Sequence, residues 1–178
     1  DDIIIGGDGD DVLTGDELDD TITGGAGTDS IDAGTGADSV TTGDDADRIT
    51  QDNVDSIATT GFSGSYDDLD CGDTFTFANG VDVISGFTTT TDDFLTGDAG
   101  TMTYLAENAD METQTINENF GIRGEWNADT ATFTTGVNTG DDTLLVADAA
   151  NADLGNVATA LNWSIVVGQS ALVAGDFI

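Results

Sequence analysis

Six aspartates, Asp2, Asp11, Asp20, Asp29, Asp38 and Asp47, stand nine residues apart without a slip, and six aliphatic residues, Ile4, Leu13, Ile22, Ile31, Val40 and Ile49, keep the same step. Around them lies an extreme charge balance, with 36 acidic residues against two arginines, no lysine and no histidine, for a formal charge of −34. Such a chain repels itself unless cations neutralise it. The chemistry open to these carboxylates is therefore the gathering of cations.

Other chemistries are poorly served. Without histidine or lysine there is no imidazole to activate a serine or cysteine, no His-containing zinc-protease motif and no Schiff-base amine. The glycine-rich stretches carry no Gly-Lys-Ser/Thr and lie in a field that repels phosphate, so phosphate loops and nucleic-acid binding are excluded together. Glu107, Glu112, Glu118 and Glu125 offer coincidental carboxylate pairs, but solvated acids are the usual case in a chain this acidic. The protein is not expected to be an enzyme. Cys71, the single cysteine, cannot close an internal disulfide, and it reads as a small buried side chain.

The elements that must position the aspartates follow from the period. One inward aliphatic residue in nine is too sparse for an amphipathic helix and suits a three-residue strand. Each unit, as in GGDGDDVLT (6–14) and GGAGTDSID (24–32), opens on small residues, closes a turn on Asp and then places its aliphatic residue. Units of this size bury a core only by stacking, so the N-terminal segment is expected to be a solenoid. A low-complexity acidic linker would share the Gly and Asp content but not the aliphatic ladder locked to the same period. The absence of proline suits continuous strand ladders.

These nonapeptides resemble those of the RTX family, pattern G-G-x-G-x-D-x-U-x. The resemblance implies a parallel β-roll with two nonapeptides per coil, and Ca2+ between turns stacked on the same side. Carried over residue by residue, it implies that Asp2, Asp20 and Asp38 line one side and Asp11, Asp29 and Asp47 the other. Carbonyls of the glycine-rich turns are the further implied ligands, through Gly6, Gly7 and Gly9, Gly24, Gly25 and Gly27, and Gly34 and Gly36. The chemistry agrees, since calcium is a hard cation that takes six to eight oxygens. The turns 6–11 and 24–29 match the pattern fully. The turn 15–20 departs from it with Asp16 and Leu18 in glycine places, turn 33–38 loses its first glycine, and turn 42–47 has Asp45 in the fourth place.

After Ile49 the register shortens to Asp55 and Ile57, then resumes as Tyr66, Phe75 and Ile84, with Asp73 and Asp82 in the Asp place. The roll is thus expected to run on with a larger apolar core, and CGDTFTFANGVDVISGF (71–87) resembles the segment in which RTX rolls end. That makes Phe75, Phe77, Val83, Ile84 and Phe87 core residues. Beyond lie a hairpin over 120–136 turning at Asn127-Ala128-Asp129, strands at 141–149 and 163–169, and one helical turn over NADLGNVATAL. Arg123 and Trp126 read as a packing pair on that hairpin.

The fold class expected is all-β: a parallel β-roll followed by a β-rich C-terminal capping domain. The divisions expected are 1–60 for the calcium-binding roll, 61–95 for its continuation and 96–178 for the cap. The cap resembles the C-terminal region of RTX proteins that carry an uncleaved signal for the type I secretion machinery, here ending Asp176-Phe177-Ile178. No apolar run reaches the roughly 18 residues of a membrane span, so no transmembrane segment is expected. The chain opens inside a repeat, and a longer parent is expected. The functional expectation is a calcium-folded, secreted structural protein of the extracellular space or cell surface, a surface-layer or filament component capable of homo-oligomeric assembly. The alternative is a folding and secretion module of a larger RTX enzyme, toxin or adhesin.

Overall fold

The computed structural model describes residues 1–50, 61–62, 74–77, 81–89, 92–95, 102–104, 119–136, 140–148, 161–169 and 172. Among these residues there are strands and turns but no helix, so the protein is all-β. Neither is there a helix long and apolar enough to cross a membrane.

The N-terminal fifty residues wind as three coils. Strands β1 (Ile3–Asp8), β3 (Thr21–Ala26) and β5 (Ser39–Asp44) stack in one parallel sheet, and β2 (Val12–Thr14), β4 (Ser30–Asp32) and β6 (Arg48–Thr50) in a second. The register pairs Ile4 with Ile22 and Ile22 with Val40 in the first sheet, and Leu13 with Ile31 and Ile31 with Ile49 in the second. Both offsets equal two nonapeptides, so each coil uses one repeat per sheet. Because strand side chains alternate between faces, the aliphatic residue of every repeat points between the sheets. Ile22, Ile31, Val40 and Ile49 are fully buried there, each contributing about 2 kcal/mol relative to exposure. On the outside of the first sheet stand Thr21, Thr23, Ser39 and Thr41, as expected of a face turned to water.

A fourth coil closes the roll, and its two strands come from further along the chain. Strand β9 (Asp82–Ser85) lies parallel to β5 with Ile84 opposite Val40. Strand β10 (Asp93–Leu95) lies parallel to β6 with Phe94 opposite Ile49. The strand stacked on β5 is therefore β9, while β8 takes an antiparallel place elsewhere in the same sheet. This corrects the expected register through Phe75. Strands β7 (Gly61–Phe62) and β8 (Thr74–Thr76) pair antiparallel with each other, and β8 pairs antiparallel with β13 (Thr132–Thr135). A spacing of nine is necessary for a coil but does not create one when an antiparallel neighbour satisfies the same backbone groups. Asp55, Ile57, Tyr66, Cys71 and Asp73 lie outside the described residues, as do the anticipated helical turn and the chain's last six residues.

The C-terminal strands extend the first sheet instead of standing apart. Strand β15 (Leu161–Val166) runs parallel to β9, and β14 (Asp142–Asp148) and β12 (Asn119–Asn127) follow in antiparallel order, with β13 beyond them and β11 (Met102–Tyr104) alongside β12. Leu145, Val166 and Leu172 join the same apolar core as the roll's ladder. Two further bonds fasten the junction, from the Val167 N–H to the Ile84 carbonyl at 2.9 Å and from Gln169 Nε2 to the Phe87 carbonyl at 2.8 Å.

The hairpin turns at residues 128–131, where Asn127 Oδ1 accepts the N–H groups of Asp129 and Thr130. Arg123 and Trp126 do not pack on each other. They sit three apart on one strand and so face opposite sides, and Trp126 meets Phe77 edge-on with ring centroids 6.1 Å apart. Phe77, Ile84 and Phe87 are core, as expected, while Val83 is only half-buried because its neighbour Ile84 takes the inward place. The side chain of Phe75 is outside the described residues.

Candidate metal centre

The turn that follows each short strand ends on an aspartate whose carboxylate is folded back onto the stack. On one side, the Asp2 N–H donates to Asp20 Oδ1 at 2.6 Å, the Asp20 N–H to Asp38 Oδ1 at 2.7 Å and the Asp38 N–H to Asp82 Oδ1 at 3.1 Å. On the other side the same bond runs from Asp11 to Asp29 at 2.9 Å, Asp29 to Asp47 at 2.9 Å and Asp47 to Asp92 at 3.1 Å. The structure thus places the six expected aspartates in two columns, sorted as the resemblance implied. Asp82 extends the first column. Asp92 extends the second, and sequence reasoning missed it because ten residues, not nine, separate it from Asp82.

Each column bond uses only one carboxylate oxygen. The other, Oδ2, is buried and has no hydrogen-bond partner at Asp20, Asp29, Asp38 and Asp47, and the same holds for Oδ2 of Asp11, which enters its column through its N–H. A buried acceptor with no donor costs about 1 to 3 kcal/mol, and more when it is charged. Five such atoms in consecutive turns mark places where a partner other than a protein N–H belongs. The cost also shows in the titration of two of them. Burial, opposed by the Asp20 N–H and reinforced by the Asp20 and Asp19 carboxylates, pushes Asp38 up to about 6. Burial likewise raises Asp47, with the Asp29 N–H opposing and the Asp92 carboxylate reinforcing.

The glycines say where that partner sits. A Cβ added to Gly6 would fall 2.7 Å from Asp11 Oδ2 and against the Gly24 carbonyl oxygen. One added to Gly15 would fall 2.6 Å from Asp20 Oδ2 and against the Ala33 carbonyl. At Gly24 it would fall 2.6 Å from Asp29 Oδ2 and against the Thr42 carbonyl. At Asp11, Asp20 and Asp29 the orphaned carboxylate oxygen therefore shares a small cradle with a carbonyl oxygen of the next coil, kept open by the first glycine of the turn, while Ala33 and Thr42 stand in that place before Asp38 and Asp47. A cavity of about 220 Å³ between the turns 24–29 and 42–47 is lined by Thr28, Asp29, Ala46 and Asp47.

Among the expected ligands, Gly6 and Gly24 border these cradles, while Gly7, Gly9, Gly25, Gly27 and Gly34 occupy the turns at positive φ. Gly36 has no such φ; a Cβ there would strike the Leu18 carbonyl of the preceding coil. Asp2 stands exposed beside the first coil, and its N–H joins the column. Sequence reasoning missed the Ala33 and Thr42 carbonyls, since a main-chain oxygen leaves no signature in residue type. It also missed Asp10 and Asp19, which accept the Thr28 and Ala37 N–H groups at 2.9 and 3.0 Å on the outside of the turns. The departures from the pattern keep the shared geometry, with Asp16, Leu18 and Asp45 at φ of 74°, 80° and 77°.

The donor set suits one kind of ion. Among the described residues no three acidic or cysteine side chains converge, so an ion here combines one or two carboxylate oxygens with main-chain carbonyls. All the donors are hard oxygens, with no nitrogen or sulfur among them. That is calcium chemistry, tolerant in coordination number and satisfied by carbonyls.

Comparison with known proteins bears on the same segment. The family model for the RTX calcium-binding nonapeptide repeat, in four copies, matches residues 1–22 and 14–49. Among solved structures, the chain is similar to the AlgE6R2 subunit of the Azotobacter vinelandii mannuronan C5-epimerase. The identity is 19% and the TM-score 0.47, over 98% of this chain and 91% of that one. For the AlgE6R3 subunit of the same epimerase the identity is 19% and the TM-score 0.40, over 97% and 80%. No curated protein matches the chain. Residues 1–49 are RTX calcium-binding nonapeptide repeats, wound as a parallel β-roll, and the ion they bind is Ca2+.

Proposed function

We propose that the protein is a calcium-folded extracellular structural protein, exported by type I secretion and assembling in a surface layer, filament or matrix, with no catalytic task of its own. The observation that carries the calcium-folded part is the run of five turns in which a buried aspartate oxygen lacks any protein partner. Asp11, Asp20, Asp29, Asp38 and Asp47 are the carboxylate ligands in this reading, and the carbonyls of Gly24, Ala33 and Thr42 complete the cradles.

The mechanism follows from the charge. With calcium scarce, as in cytosol, the aspartates of one column repel each other and cannot afford burial, so the chain stays open for export. Outside the cell, millimolar calcium binds the folded form alone, and its binding free energy becomes folding free energy. The ions then act as cement along the roll axis. One feature supports assembly. Ile3, Ile5 and Val12 of the first coil and Leu18 of the turn after it are exposed, where later coils carry Thr21, Thr23 and Ser30 at the places of the first three.

Far-UV circular dichroism and X-ray scattering in millimolar calcium and in excess chelator test the folding part. The expected result is a compact β protein with calcium and an expanded chain without it; equal folding in both would end this reading. Electron microscopy in both conditions tests assembly separately, and monodisperse monomers throughout would remove the lattice while leaving calcium folding intact.

A further inference from the structure

Register makes Gly6, Gly24 and Thr42 the same position in successive coils, because Gly7 pairs with Gly25 and Gly25 with Gly43. At Gly6 and Gly24 the place of the missing Cβ lies within 2.7 Å of the Oδ2 of the aspartate five residues on. At Thr42 a side chain occupies that place, and the aspartate five residues on is Asp47. Thr42 is fully buried and Asp47 is 1% exposed. Thr42 Oγ1 and Asp47 Oδ2 are both buried without a hydrogen-bond partner. Had the threonine served only to fill the cradle, its hydroxyl could have donated to that carboxylate and satisfied both atoms. Instead two acceptor-capable oxygens of one turn are left buried without a donor.

On its far side Thr42 Oγ1 faces the fourth coil, 3.1 Å from where a Cβ of Gly86 would stand. Thr41 pairs with Ser85, so Gly86 relates to Thr42 as Thr42 relates to Gly24. We propose that Thr42 Oγ1 is itself a calcium ligand, forming with Asp47 Oδ2 against the Gly86 main chain a site in which a neutral hydroxyl enters where glycine leaves space in the Asp11, Asp20 and Asp29 cradles. The proposal rests on the calcium reading above. Hydroxyl oxygen is a hard donor that calcium accepts within its six to eight oxygens.

Thr42 then serves two neighbouring ions. Its carbonyl oxygen belongs to the Asp29 cradle and its hydroxyl to the Asp47 site. Occupancy of the two sites is coupled through one residue, whose backbone is set by the first ion and whose side chain is read by the second.

Equilibrium dialysis with radioactive calcium on the full chain, for the wild type, Thr42→Val, Thr42→Ser and Thr42→Gly, decides the matter. Valine keeps the shape and removes the oxygen, so Thr42→Val is expected to bind one ion fewer than the wild type and to titrate less steeply. Thr42→Ser is expected to match the wild type, and Thr42→Gly not to exceed it. Circular dichroism in saturating calcium checks that each variant folds; if Thr42→Val does not, the serine and glycine counts carry the decision. Wild-type stoichiometry and affinity in folded Thr42→Val would overturn the proposal. So would an extra ion in Thr42→Gly, which would mean that the threonine plugs the cradle, or a missing ion in Thr42→Ser. A wild-type chain that binds no calcium would instead overturn the reading beneath it.

Discussion

Two buried aspartates of the same chain solve the same problem in different ways. Asp142, in the antiparallel C-terminal part of the sheet, accepts the Trp126 N–H on one oxygen and the Gly168 N–H on the other, both at 2.9 Å. Asp29, in the roll, accepts the Asp11 N–H on one oxygen and leaves the other buried without a donor. A hairpin fold can bring two unrelated backbone segments to one carboxylate. A parallel coil repeats a single relation, and each coil's N–H groups are already committed to its neighbour. The second oxygen is then left for a cation. Asp92 marks the border between the two regimes: its Oδ1 accepts the Asp47 N–H, and its Oδ2 accepts the Thr88 N–H at 2.7 Å, so the last turn of its column is closed by protein.

The largest expected effect is at Asp29. Asp29→Ala removes a proposed calcium ligand and strands the Asp11 N–H, so calcium-induced folding, followed by circular dichroism, should require about tenfold more calcium or beyond. Asp142→Asn keeps one acceptor and should cost about 1 to 3 kcal/mol in denaturant melts without moving the calcium midpoint. A calcium shift in Asp142→Asn equal to that of Asp29→Ala would erase the distinction between the two regions. Glycines sharpen it next. Gly24→Ala puts a methyl group onto the Thr42 carbonyl and 2.6 Å from Asp29 Oδ2, and should weaken both stability and calcium affinity. Gly168→Ala, at φ 75° with open space around it, should cost only the left-handed backbone, about 1 kcal/mol, with calcium titration unchanged. Smaller still, and opposite in sign, is Leu18→Gly. An exposed leucine held at φ 80° stores about 1 kcal/mol of strain, and relieving it should raise the melting temperature of the calcium-loaded protein by a few degrees.

The pH response is the most modest test. In the calcium-free fold, Asp38 holds its proton up to about 6 against an ordinary 3.8. The unfolded chain releases that proton first as pH rises. The calcium-free fold should therefore lose stability between about pH 4 and pH 6. With calcium present the direction reverses, because the ligand must be deprotonated to bind. A chelated sample that X-ray scattering finds more compact at pH 6 than at pH 4 would contradict the assignment of Asp38 as a buried, half-satisfied acid.

What was legible in the sequence was whatever repeats. Asp and aliphatic residues nine apart were enough to expect a solenoid and the inward ladder of Ile22, Ile31, Val40 and Ile49, since both follow from local turn chemistry applied again and again, and the resemblance to RTX nonapeptides implied the coil of two repeats and the sorting of aspartates into two columns. The hairpin at Asn127 was equally local. The place of β8 outside the roll was not legible, because Phe75 keeps the spacing of nine while its strand finds an antiparallel partner in β13, and spacing carries no information about which neighbour wins. Asp92 was hidden by one extra residue. The Ala33 and Thr42 carbonyls were hidden because backbone oxygens are the same at every position. The sequence by itself determined that this chain builds a solenoid of short strands and acidic turns, for single apolar residues at a period of nine bury a core only by stacking, and its resemblance to RTX nonapeptides implied the calcium β-roll. Only the tertiary structure decided where the roll ends, which oxygens are left for the ions, and that the C-terminal strands continue its sheet, because those depend on contacts between segments far apart in the chain.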